Sequence, residues 1–247
     1  MTLFFVLAGF GVGLLVGLTG VGGGSIMTPL LVSMNVNPLI AVGSDLLYSV
    51  PTRLYAAYVH NRNGTVDWAI VKGLLLGGIP SALLGLGALF WLRHHFETAA
   101  IAAWTRPAIG VAVIFSALAL LVQPFLRFQP SFTRIKVVGI GAFVGAVTAL
   151  TSIGSGSVTL PLLALAIPSA RLERLVGSDI AFAALLIPVA AAGRWSMGDV
   201  STTVTLSILA GSLPGVWLGS KCSVRLHQNW LRPAVSLTLI YAGLRMV

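Results

Sequence analysis

Apolar runs of about the same length follow one another along the whole chain, at 2–19, 38–59, 68–92, 104–122, 137–153, 174–193, 200–219 and 229–247. A helix rising about 1.5 Å per residue needs about 20 apolar residues to cross a hydrocarbon layer about 30 Å thick, and each run is near that length. The expectation is an all-α polytopic membrane protein with about eight transmembrane helices. Composition supports it: 57% of residues are hydrophobic and 9% charged, against roughly 45–50% and about 25% in soluble domains. Met1 to Leu18 is apolar from the start, with neither a basic leader nor a small-residue cleavage site, and reads as a retained first span. Two shorter apolar pieces, 26–34 and 158–167, are too short to cross and are expected to be half-helices or re-entrant segments.

Fifteen Lys and Arg against six Asp and Glu give a net charge of +9. The cations fall singly at the ends of apolar runs, as at Arg93, Arg106, Arg134, Lys136, Arg171 and Arg174, which suits headgroup anchoring rather than nucleic acid. Tryptophans near run ends, Trp68, Trp91, Trp104 and Trp230, read as interfacial anchors, and His94 and His95 as solvated loop residues. A lone cysteine, Cys222, excludes an internal disulfide, and four scattered histidines make no metal spacing, so no cofactor or metal is expected. No nucleophile with a neighbouring base, HExxH or paired-carboxylate spacing points to an enzyme.

The chain is written twice. Gly13 to Leu31 aligns with Gly145 to Leu163, with glycine, serine, threonine and proline coinciding. After a two-residue shift, Gly43-Ser44-Asp45 meets Gly177-Ser178-Asp179, Gly64 and Val66 meet Gly198 and Val200, and Gly77, Pro80 and Gly85 meet Gly211, Pro214 and Gly219. The expected organisation is a first transmembrane repeat at 1–122, a linker at 123–136 and a second repeat at 137–247. Duplicated membrane halves commonly bind substrate at their interface, where interrupted helices unwind. Odd numbers of crossings per half would make the repeats inverted and even numbers parallel, and the basic residues of alternate loops leave both possible.

Two constellations could do chemistry. The first is Thr19, Gly22, Gly23, Gly24 and Ser25 before a half-helix with Pro29, and its twin Thr151, Ser152, Gly154, Ser155, Gly156 and Ser157 before Pro161. Glycines let the backbone approach a ligand closely, and a helix starting at Ser25 or Ser157 offers unpaired N–H groups with partial positive charge, which suits an anion. No Lys follows the glycines as a nucleotide loop requires. Glycines that merely permit tight helix packing are the competing reading. The second constellation is Asp45 and Asp179, each deep in an apolar run. Carboxylates there are costly and functional by default, so both are candidate proton carriers; alternatively they are helix N-caps. Arg53, whose equivalent is Ile187, could hold an oxyanion with its planar fork or snorkel towards the span end near His60. Pro51, Pro80, Pro188 and Pro214 are expected to kink helices.

The run from Gly22 to Leu31, its second copy from Gly154 to Leu163, the two Gly-Ser-Asp triplets and the two Gly-x-x-Pro turns together resemble the TauE/SafE sulfite exporter family. The resemblance covers nearly the whole chain. It implies a secondary transporter of a small anion, sulfite, a sulfonate or another organosulfur compound, in a bacterial cytoplasmic membrane, with protons as candidate co-transported partners. By position the family's two glycine-rich motifs fall on Gly22 to Pro29 and Gly154 to Pro161, the second departing at Ser155, where the first has Gly23. A membrane subunit of a larger transport complex and an anion channel are the alternatives. Substrate, direction and oligomeric state stay open.

Overall fold

A computed structural model describes residues 2–19, 23–122, 134–223, 236–237 and 239–247. Among them run α1 (Thr2–Thr19), α2 (Gly24–Ser33), α3 (Pro38–Arg62), α4 (Trp68–His95), α5 (Thr98–Val122), α6 (Arg134–Thr151), α7 (Thr159–Ala166), α8 (Leu172–Ser196) and α9 (Thr202–Ser223), followed by helical residues at 239–244. No strand occurs among the described residues. Five helices, over Trp68–His95, Thr98–Ala119, Arg134–Thr151, Leu172–Ser196 and Thr202–Gly219, are long and apolar enough to cross a membrane. The protein is thus an all-helical polytopic membrane protein, and the two short apolar pieces are α2 and α7. Of the linker expected at 123–136, residues 123–133 lie outside the described residues, while Arg134 and Lys136 open α6.

Local chemistry sets the boundaries. Asn37 caps α3 by accepting from the Leu39 N–H at 2.9 Å, with Pro38 at the first helical position, and Asp67 caps α4 by accepting from the Ala69 N–H at 2.9 Å. The left-handed Gly64 (φ 65°) and Gly198 (φ 76°) follow the ends of α3 and α8. Pro80 and Pro214 lie inside α4 and α9, not in turns, because the neighbouring helices replace the packing a soluble turn would lose. His94 and His95 belong to the last turn of α4 rather than to a loop, His95 Nδ1 standing 2.9 Å from the Trp91 carbonyl. Trp68, Trp91 and Trp104 are exposed near helix ends, as anchors require, and Trp230 lies outside the described residues.

Small residues draw the helices together. Gly9 and Gly13 of α1 rest on Ile208 and Ser212 of α9, while Gly211, Gly215 and Gly219 of α9 rest on Val6, Phe10 and Leu14, so α1 and α9 run parallel. In the same way Gly77 of α4 rests on Val138, and Gly145 of α6 on Gly78, which makes α4 and α6 parallel. Between these pairs α3 packs on α8. Ser44 Oγ, early in α3, accepts from the Ser201 N–H just after α8 at 3.1 Å; Ser178 Oγ, early in α8, accepts from the Asp67 N–H just after α3 at 2.9 Å. The two helices are therefore antiparallel, and equivalent serines bind equivalent turns.

These contacts also show where each segment starts. The starts of α1 and α3 both lie at the end of the bundle where α9 starts, Val6 against Gly211 and Ser44 against Ser201. The starts of α6 and α8 lie at the opposite end, where α4 starts, Val137 against Gly73 and Ser178 against Asp67. The segments α1–α2 and α6–α7 therefore each leave one end of the bundle and return to it.

Candidate functional site

Asp45 and Asp179 lie two turns into α3 and α8, seven residues past each helix start, and both are buried. Neither caps a helix: Asn37 does so for α3, and α8 begins at Leu172 without a side-chain cap. Instead each carboxylate faces the half-helix of its own repeat. Asp45 Oδ2 accepts from Thr28 Oγ1 of α2 at 2.5 Å, and Asp179 Oδ2 accepts from Ser155 Oγ at 3.4 Å. The other oxygen of each, Oδ1, is buried without a hydrogen-bond partner among the described residues. Ser152 lies beside Asp45, and Thr159 and Gly156 beside Asp179. The two breaks meet, since the Ser152 carbonyl packs directly on Gly24.

Along α3, Asp45 is followed by Tyr48, Ser49, Thr52 and Arg53, which recur at helical spacing and share one face. That face lines a cavity of about 210 Å3, completed by Gly13 and Val16 of α1, Gly23 of the first break, Ala56, Ile180 of α8, and Ser212 and Val216 of α9. Arg53 lines the cavity, close enough to Asp45, Asp179 and Tyr48 to act on all three electrostatically. Arg53 with the hydroxyls of Tyr48 and Ser49 gives this mainly apolar lining a few donors that an oxyanion could use, while the Thr52 and Ser212 hydroxyls donate to the Ser49 and Leu209 carbonyls of their own helices.

The second half does not repeat this lining. At the equivalent positions of α8 stand Phe182, Ala183, Leu186 and Ile187, all buried. The Phe182 ring packs on Gly78, the equivalent of Ser212, so closely that a Cβ there would stand 2.7 Å from Cε2. Phe182 thus stands where the first half has Tyr48, without its hydroxyl, and the apolar Ile187 stands where the first half has Arg53.

The structure brings some of the predicted residues together and separates others. Gly23 and Arg53 line the cavity; Gly24, Ser152, Ser155 and Gly156 gather around the two aspartates. Ser25 is buried in the first turn of α2. Ser157 is not the start of a helix: it lies in the turn before α7, which begins at Thr159 because Val158 and Thr159 donate to the Gly154 carbonyl at 2.9 and 3.0 Å. Its Oγ is buried without a partner among the described residues. Thr151 is spent on its own helix, donating to the Val147 carbonyl at 2.7 Å, and Gly154 packs against Thr148. Thr19 closes α1, and Gly22 lies outside the described residues. Tyr48, Ser49, Thr52 and Ser212 were not expected from sequence. Their signal is the polar stripe continuing from Asp45 to Arg53 through an otherwise apolar helix.

The sulfite exporter TauE/SafE family model matches residues 5–246. A probable membrane transporter protein, YjnA, of Bacillus subtilis is 35% identical, the match covering all of both chains. A second from the same organism, YdhB, is 26% identical over 99% of this chain and all of its own, and a probable membrane transporter protein of Haemophilus influenzae is 24% identical over 99% and 97%. No solved structure matches. From Phe5 to Met246 the chain belongs to the TauE/SafE sulfite exporter family of membrane transporters.

Proposed function

We propose that the protein is a secondary carrier of the cytoplasmic membrane for a small oxyanion, sulfite, a sulfonate or another organosulfur anion, bound beside Arg53 between the two halves. The observation that carries this reading is the cavity itself: Arg53 with the hydroxyls of Tyr48 and Ser49 beside about 210 Å3 of space, below the roughly 300–1,000 Å3 of drug-sized pockets. That volume suits an oxyanion with a short organic arm. The unpartnered Oδ1 atoms of Asp45 and Asp179 supply two places where a proton can sit, so uptake of protons by the carboxyls offsets the charge of an entering anion. The halves, 1–122 and 137–247, act as inverted repeats about the antiparallel α3 and α8, with labour divided: the first half supplies the cation Arg53 for the anion, and the second has the apolar Ile187 at the equivalent position.

The test is thermal stabilisation of the purified protein by sulfite, thiosulfate, sulfate, sulfoacetate, taurine, an aromatic sulfonate and chloride, since a ligand that binds only the folded state raises the melting temperature. The expected result is a selective shift with an organosulfur anion that Arg53→Gln removes; an equal shift in Arg53→Gln would refute the site. Proteoliposomes containing this chain alone should then show saturable uptake and counterflow, which neither a channel nor a partner-dependent subunit gives.

A further inference from the structure

Arg194, near the C-terminal end of α8, is fully buried and lines no part of the Arg53 cavity. Its Nε and Nη2 donate to the Ala149 carbonyl at 3.1 and 3.0 Å, Nη2 also donates to the Leu150 carbonyl at 2.8 Å, and Nη1 pairs with Asp199 Oδ2 at 3.0 Å. Asp199 is shared: its Oδ1 pairs with Arg93 of α4, which also donates to the Met197 carbonyl at 2.6 Å. The two carbonyls that Arg194 binds belong to the last turn of α6, where no further helical N–H can reach them. Immediately afterwards Ser152 takes φ 63°, a left-handed conformation costly for a residue with a Cβ. That same Ser152 packs on Gly24 and lies beside Asp45. At the equivalent positions of the first half are His60 and Thr65, joined at 2.9 Å between Nδ1 and Oγ1, so the ionic version of this corner belongs to the second half.

We propose that Arg194 is a positioning residue for transport: held by Asp199, it fixes the end of α6 and the Ser152 backbone, and through them the carboxylate side of the anion site. This rests on the carrier reading above. A lysine could keep the charge but not the fork that spans two carbonyls and a carboxylate.

The experiment uses the whole chain in a Cys222→Ser background. Ser152→Cys reports on the break through its rate of labelling by a small thiol reagent, with Arg194 intact and as Arg194→Lys or Arg194→Gln. Anion KM and Vmax are measured in the same Arg194 variants with Ser152 kept. In variants that elute and melt as folded protein, labelling should quicken and KM should rise, each by roughly tenfold or more, as expected for loss of charge-assisted hydrogen bonds, with Vmax changed much less. Lysine should not rescue. Unchanged labelling, or quicker labelling with an unchanged KM, would overturn the proposal. If both Arg194 variants fail to fold, Asp199→Asn, which leaves Arg194 in place but removes the carboxylate that holds its Nη1, takes their place with the same two readouts. Absence of transport by the protein with Arg194 intact would instead overturn the carrier reading, and this proposal with it.

Discussion

Asp45 and Asp179 occupy equivalent positions but unequal surroundings. Asp45 stands two turns before Arg53 on its own helix and accepts a 2.5 Å bond from Thr28, whereas Asp179 accepts a longer 3.4 Å bond from Ser155, has Thr159 and Gly156 beside it, and views Arg53 across the α3–α8 contact. If protons balance the anion's charge, Asp45→Asn and Asp179→Asn should each weaken stimulation of uptake by a pH gradient in proteoliposomes, roughly tenfold where a single carboxyl carries the proton; undiminished stimulation in both variants would remove the carboxyls from coupling. The sequence made these residues visible because a charge inside an apolar run stands out. It also marked Arg53 as a cation without a twin. It leaves open which way Arg53 points, since a long side chain eight residues from a carboxylate and seven from His60 near the helix end can reach towards either. Tyr48, Ser49 and Thr52 stayed hidden for a related reason: singly, each is an ordinary residue of a membrane helix, and only the cavity gives the stripe its meaning.

At the scale of helices, the repeat register foretold the half-helices α2 and α7, and glycines mark where helices touch. Whether a glycine is there for contact or is incidental depends on its partner, which no single chain reveals. Gly177 is one extreme: a Cβ would stand 2.5 Å from the Thr65 carbonyl oxygen, at the same crossing that the Ser178–Asp67 bond fastens. Gly87 is the other, with nothing near its would-be Cβ. Gly177→Ala should therefore destabilise the purified protein by about 1–3 kcal/mol through overpacking, while Gly87→Ala should be neutral or gain up to about 1 kcal/mol from helix propensity. Melting temperatures of the two variants decide; equal effects would mean that the α3–α8 crossing is looser than its geometry. The hairpins α1–α2 and α6–α7 show the limit of length as a guide. The 18 residues of α6 pass every test for a crossing helix, yet their continuation turns back, because the break at Ser152–Ser157 and not the apolar run decides the path.

Across the whole molecule the returning hairpins settle a question that basic residues alone leave open. Assigning each cation to an end of the bundle requires knowing which helices cross, and once α1–α2 and α6–α7 are taken as returning segments the charges separate. Among the described residues, Arg62, Lys72, Arg134, Lys136, Arg171, Arg174 and Lys221 stand at the end where α4, α6 and α8 start; at the other stand Arg93, Arg106, Arg194 and Arg245, of which Arg93 and Arg194 share the one charge of Asp199. Counted over presumed full spans, the same residues fall on both sides in alternate loops and no bias emerges. The positive-inside rule then predicts that the α4–α6–α8 start faces the cytoplasm, with the Arg93–Asp199–Arg194 cluster at the outer end and the His60–Thr65 pair at the inner one. Glu97 and Arg62 are exposed at the two opposite ends. In intact cells carrying Cys222→Ser, a membrane-impermeant maleimide should label Glu97→Cys and spare Arg62→Cys until the membrane is permeabilised. The reverse pattern would invert the orientation, and labelling of both from outside would mean that α4 does not cross the membrane.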